Sequence, residues 1–193
     1  MDSTRLVFIG FVAAFTLVAA IMDWRTKRLP NALTVPAFVL ALVFHSANGW
    51  FEGGALGAGK ELLVSLGGFA TGFGILFVLW LIAGGGGGDV KLMGAVGAWL
   101  GIRQTIYVFI LATLVIIVGT IGILAYRSIS NGFGKTRQRY LTPLDSKAVS
   151  RQKSNGADAE QTARLRRRLM PFGVSVAVAT WALLAFTVLV KQA

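Results

Sequence analysis

"GGGGGDVK", residues 84–91, separates the apolar run "FVLWLIA" (77–83) from the apolar run "LMGAVGAWLG" (92–101). Glycine in a helix interior costs about 1 kcal/mol relative to alanine. An aspartate at the edge of a hydrophobic segment is also costly unless something offsets it. A break carrying an acid, set between two apolar runs, therefore calls for an explanation that the flanking sequence has to supply.

Those flanks are long and uninterrupted, not striped. Of the 193 residues, 55% are hydrophobic and only 14% charged, against about a quarter charged in ordinary soluble domains, and the mean hydropathy is +0.69. Apolar stretches of this length read as bilayer-spanning helices. Runs occur at 6–22, 32–47, 62–83, 90–102, 105–126 and 170–190. The fold class expected is all-α, a polytopic membrane protein of about six transmembrane helices. The run at 90–102 is the weakest, because about thirteen residues at 1.5 Å each reach only about 20 Å of a ~30 Å hydrocarbon core. A signal peptide is the rival for the first run. However, the basic cluster follows it in "DWRTKRLPN" (23–31), which suits a retained span ending in the cytoplasm.

Charge sets the orientation. With the N-terminus outside, the cytoplasmic regions carry three Lys/Arg in residues 23–31, then Lys91, then eleven in residues 127–169. Arg5, Lys60, Arg103 and Lys191 fall on the other side. This asymmetry follows the positive-inside rule. It also assigns the net charge of +11 to anionic membrane lipids, with no nucleic acid as partner. Residues 127–169 read as a basic cytoplasmic loop, with a short helix expected around 157–169, inside a single membrane domain of residues 1–193. There are no cysteines and one histidine, which excludes disulfides, thiol catalysis and His-pair or Cys metal sites. No metal or cofactor is expected. "GALGAGKE" (54–61) falls one residue short of a phosphate-binding loop and has no strand before it. His45 reads as an interfacial or packed side chain, and Trp24, Trp50 and Phe51 as an interfacial aromatic belt.

In this topology Asp23 closes the first span and Asp89 opens the fourth, both at the cytoplasmic edge. Taken singly, Asp23 could be an interfacial acid balanced by Arg25 or Lys27, and Asp89 an acid favoured at a helix N-terminus. Together they suggest two carboxylates sharing one proton. One would activate a water as base while the other acts as acid towards a carbonyl, hydrolysing a peptide without metal. Glycines beside Asp89 would let a substrate backbone approach closely. Gly94, Gly97 and Gly101 give the fourth segment a small-residue face for tight helix packing. A non-catalytic transporter or channel component, with the same acids binding a cation or relaying protons, is the alternative; it would more naturally show inverted repeats and mid-membrane acids.

Three stretches, "DWRTKRLPNALTVP", "GGGGGDVKLMGAVGAWLG" and "MPFGVSVAVATWAL", resemble in order the signatures of the type IV prepilin peptidases, intramembrane aspartic proteases of the GxGD class. Leu29 stands where that family has isoleucine before its Pro-Asn, here Pro30 and Asn31. The GxGD motif is Gly86 to Asp89, and the "PFG" segment is Pro171, Phe172 and Gly173. The resemblance implies a bundle in the inner membrane that removes the basic leader of prepilin precursors at the cytoplasmic face. Asp23 and Asp89 would be the catalytic pair, with Gly86, Gly87, Gly88, Lys91, Pro30 and Asn31 near the substrate. It implies the short form serving tight-adherence (Flp-type) pili, without the cysteine-bearing region and methyltransferase activity of larger members. The oligomeric state is not legible. If residues 127–169 lie on lipid away from the leader, neutralising Arg166, Arg167 and Arg168 will alter membrane insertion or stability more than turnover. A large loss of cleavage in a correctly inserted variant refutes this.

Overall fold

The computed structural model describes residues 3–26, 29–83, 86–131 and 172–192. All regular structure among them is helical: α1 (Ser3–Thr26), α2 (Asn31–Ala83), α3 (Gly87–Leu100), α4 (Ile102–Asn131) and α5 (Phe172–Gln192). Four of these, all but α3, are long and apolar enough to cross a membrane. Their outer faces carry residues such as Ile110, Leu114, Val118 and Phe186 in the open. Such exposure suits hydrocarbon, and the chain is an integral membrane protein. The chain divides into two compact units, Met1–Val115 with Pro171–Ala193, and Ile116–Met170. In the second unit the described residues are the continuation of α4. The proposed helix at 157–169 and most of the basic loop lie outside the described residues.

The second and third apolar runs are one helical element with a break. The stretch 48–61, which separates those runs in the sequence, stays helical except at Gly53 and Gly54. Gly54 has φ +60 and nothing within 4 Å of a built Cβ, so left-handed backbone is what requires glycine there. Beyond the break α2 doubles back. His45 Nδ1 lies 3.0 Å from Glu61 Oε2, although a straight helix would separate those residues by about 24 Å. Gly49 and Gly57 touch backbone to backbone at the turn, leaving no room for a Cβ on either. The glycines of this stretch let two helical arms meet.

α3 packs against α2 through the same device. A Cβ on Gly68 or Gly97 would collide with the other residue's carbonyl, and one on Gly72 would strike the Met93 carbonyl. The expected small-residue face therefore works through Gly97. A Cβ on Gly94 would lie 3.0 Å from the Phe69 ring, whereas Gly101, with φ +78, ends the helix beside Val64. At 14 residues α3 is about 21 Å long, short of a crossing, and Leu92 to Leu100 are all buried. Its last carbonyls find partners in the protein. Gly101 N–H donates to Gly97 O at 2.8 Å, the Ser65 hydroxyl donates to Ala98 O at 2.8 Å, and His45 Nε2 sits 3.0 Å from Trp99 O. Without them these carbonyls would be unpaired in apolar surroundings.

Adding a methyl at Gly97 should destabilise the protein by about 1–3 kcal/mol through overpacking. Gly10 and Gly74 have nothing within 4 Å of a built Cβ. Thermal unfolding in detergent should show Gly97→Ala well below the parent and both Gly10→Ala and Gly74→Ala close to it.

Candidate active site

The inward face of α1 is a stripe at helical spacing: Val12, Phe15, Thr16, Ala19 and then Asp23, all buried. The acid thus occupies a position that the pattern reserves for core, at only 7% exposure. What meets it is the start of α5. The Gly173 N–H donates to Asp23 Oδ2 at 2.7 Å, across 150 residues of sequence. N–H groups in a helix's first turn have no partner within the helix, and the dipole there favours negative charge. A side chain at residue 173 would crowd that carboxylate, since a built Cβ lies 3.0 Å from both Asp23 Cβ and Oδ2. Deeper in the bilayer the same two helices are tied by Trp181 Nε1–H donating to Thr16 Oγ1 at 3.0 Å. Pro171 lies outside the described residues. Phe172 packs half-buried against the core.

Asp89 stands in the first turn of α3, three residues after the extended N-cap Gly86. Its N–H donates to Gly86 O at 3.0 Å. Two of the three glycines before Asp89 are crowded here. A Cβ on Gly86 would lie 2.8 Å from Asp89 Oδ2, and one on Gly88 would lie 3.3 Å from Leu29 Cβ, whereas Gly87 has nothing within 4 Å. Gly86 and Gly88 thus have packing partners within the chain itself. Gly86 makes room for the acid's own carboxylate, and Gly88 for the "LPN" segment. That segment is anchored by the Pro30 carbonyl, which accepts from the N–H groups of Leu33 at 3.1 Å and Thr34 at 3.4 Å. Lys91 donates from Nζ to Asn31 Oδ1 at 2.9 Å. Pro30, Asn31, Gly88, Asp89 and Lys91 thus gather where α2 and α3 begin.

Asp89 lies outside the four long apolar helices. Its pKa is raised to about 6, first by burial and second by the negative charge of Asp23. Two carboxylates within electrostatic reach, one of them inclined to keep a proton, form a group that can give and take protons at one place. No cluster of three or more His, Cys, Asp or Glu occurs among the described residues. The sequence reading missed His45 as a polar linker. Its ring contacts Glu61 and the Trp99 carbonyl and meets Phe8 and Phe44 edge-on. A lone histidine gives no periodic signal. Only the α2 turn brings Glu61 to it.

Asp23 and Asp89 come within electrostatic reach beside a glycine-led helix start. Residues 10–121 match the Type IV leader peptidase family, and the chain belongs to that family. It is 32% identical over 118 residues to the prepilin leader peptidase/N-methyltransferase of Escherichia coli K12, covering 58% of this chain and 48% of that protein. The proteins of the same description from Neisseria gonorrhoeae and Vibrio cholerae are 28% and 30% identical over 57% and 60% of the chain, and 38% and 44% of their own lengths. The chain spans about half the length, or less, of these curated relatives. The "PFG" segment lies beyond the matched residues. No solved structure matches the chain significantly.

Proposed function

We propose that the protein is a membrane-embedded aspartic endopeptidase that removes the leader peptide of type IV prepilins, of the Flp type, at the cytoplasmic membrane face. Asp23 and Asp89 form the catalytic pair. The observation that carries this reading is that Asp89 feels the charge of Asp23 although the two are carried by separate helices, α1 and α3. The family and the curated relatives support the substrate class. The six-crossing topology, the outward N-terminus, the inner-membrane location and the lipid contact of residues 127–169 belong to the same proposal, as does treating residues 1–193 as one peptidase domain.

In this mechanism the pair holds one proton. A water between the carboxylates loses a proton to the ionised acid as its oxygen attacks the scissile carbonyl carbon. The protonated acid meanwhile gives its proton to the carbonyl oxygen, forming a neutral gem-diol. On collapse, the proton taken from water goes to the leaving nitrogen as the C–N bond breaks. A diol hydroxyl returns a proton to the other acid, restoring the starting state. Asn31, Lys91 and the open edge at Gly87 lie beside this chemistry and are proposed to receive the substrate backbone.

Co-expression with a Flp-type prepilin gives the direct test. Asp23→Asn and Asp89→Asn should each abolish leader removal while expression is retained, and leader removal surviving in either variant defeats the paired-acid mechanism. Gly87→Ala should keep activity within a few-fold of the parent, whereas Gly86→Ala should lose about 10²-fold, the scale of a misplaced catalytic group. The pH dependence follows from Asp89. Its pKa is raised, so between the ordinary 3.8 and about 6 the folded site keeps a proton that the unfolded chain releases. Stability from this group is accordingly present at low pH and is lost as pH rises through that window. The same proton is needed for catalysis. Steady-state kcat/KM, which reports the free enzyme, should fall on the alkaline side of about pH 6.

A further inference from the structure

Two hydroxyls near the acids are buried without a partner. Thr34 and Ser175 are 2% and 0% exposed, and among the described residues neither Thr34 Oγ1 nor Ser175 Oγ has a hydrogen-bond partner. Each is the fourth residue of its helix, α2 and α5 respectively. The start of α2 meets the start of α3, where Asp89 stands, through Lys91 and Asn31. The start of α5 meets the end of α1 where the Gly173 N–H reaches Asp23. Each acid therefore has one unpartnered hydroxyl in the first turn of the helix that opens beside it. Hydroxyls within helices commonly turn back on their own backbone. Thr16, Thr71, Thr105 and Thr113 all donate to the carbonyl four residues earlier. Thr105 is the close comparison, being also the fourth residue of its helix. Gly101 O accepts both its N–H at 3.1 Å and its hydroxyl at 2.6 Å. Pro30 O accepts the N–H groups of Leu33 and Thr34, yet the Thr34 hydroxyl does not join them. The local acceptor is there and is not used.

We propose that Thr34 and Ser175 are positioning residues whose hydroxyls hold buried water beside Asp89 and Asp23 and so place the nucleophile of the hydrolysis. This rests on the peptidase reading above. An unpaired hydroxyl in a dry interior is costly, and neither residue is open enough to receive a peptide backbone. Water is small enough to reach both, and buried water is kept where several polar groups converge on it. The carboxylates supply the remaining partners. A site among apolar helices needs such groups to retain the water it consumes. A hydroxyl both donates and accepts, so each can hold water whichever acid is ionised. Neither hydroxyl gains or loses a proton overall, and the proton balance of the hydrolysis stays as written above.

The first test needs no substrate. A crystal structure of the full chain grown in a lipidic mesophase, at a resolution that shows ordered water, should place water about 3 Å from Thr34 Oγ1 and from Ser175 Oγ. Dry surroundings at either hydroxyl, or a protein atom bonded to it, overturn the proposal. Thr34→Val keeps the side chain's shape and should lower the melting temperature in detergent by about 2–4 °C. A rise overturns the proposal, because it means that the hydroxyl had no partner to lose. In the leader-removal assay Thr34→Val and Ser175→Ala should each lower kcat about tenfold, the scale of one lost hydrogen bond, with KM changed less than about threefold. Thr34→Ser should restore kcat. Thr180→Val is the control: Thr180 is also buried and unpartnered, but it lies two turns beyond Gly173, about 10 Å further along α5, and kcat should stay at the parent's value. Equal losses in all three variants, or a defect confined to KM, overturn the positioning role. Neither the water sites nor the melting shift depends on peptide cleavage, so leader removal surviving in the Asp→Asn variants would reject the peptidase reading separately.

Discussion

A helix too short to cross a bilayer must find partners for its ends within the protein, and α3 is such a helix. Its last carbonyls are satisfied by Gly101, Ser65 and His45, and the Trp99 indole N–H donates back to Ala37 O at 2.9 Å. Ser65, His45 and Ala37 all come from α2, so both arms of the α2 hairpin are committed to holding one end of α3. The other end carries Asp89. Fixing the buried end therefore sets how far the acid projects at the opposite end, and backbone satisfaction in apolar surroundings becomes a condition on the site.

Glycines make that arrangement possible by contact more than by flexibility. Gly68 with Gly97, Gly72 with Met93, and Gly49 with Gly57 bring backbones together where any side chain would collide. In a bilayer, lipid tails are as apolar as leucine, so helix association relies on close packing and interhelical hydrogen bonds. The aromatic layer around Trp99, stacked on Phe11 at 4.4 Å and tilted against Phe44 at 5.3 Å, fills the space left between α1, α2 and α3. A core of this kind resists the shifts that would separate the carboxylates.

The acids themselves are opposites in their support. Asp23 continues the buried stripe of α1 and is tied to a helix start contributed from the far end of the chain, whereas Asp89 opens its own helix and is shielded mainly by burial. Two equivalent carboxylates would leave the proton undecided between them. Unequal surroundings are how a carboxylate pair in general comes to supply both a base and an acid.

Much of this was legible in the sequence. Run length and low charge determined helices in a membrane, because hydrocarbon admits only backbone that bonds to itself. The glycine-led acid at residue 89 and the acid ending the first run marked the candidate pair, since uncompensated carboxylates are rare beside apolar segments. Hidden were the features that depend on contacts between distant segments. The glycine-rich stretch at 48–61 carries the same composition whether it is a loop or the turn of a helical hairpin, and His45 has no local pattern that names Glu61. The crowding at Gly86 and Gly88 with none at Gly87, and the bond from Gly173 to Asp23, exist only once α1, α3 and α5 converge. Residue types along one dimension specify which groups can ionise, but only the packed bundle decides which backbone N–H faces which acid.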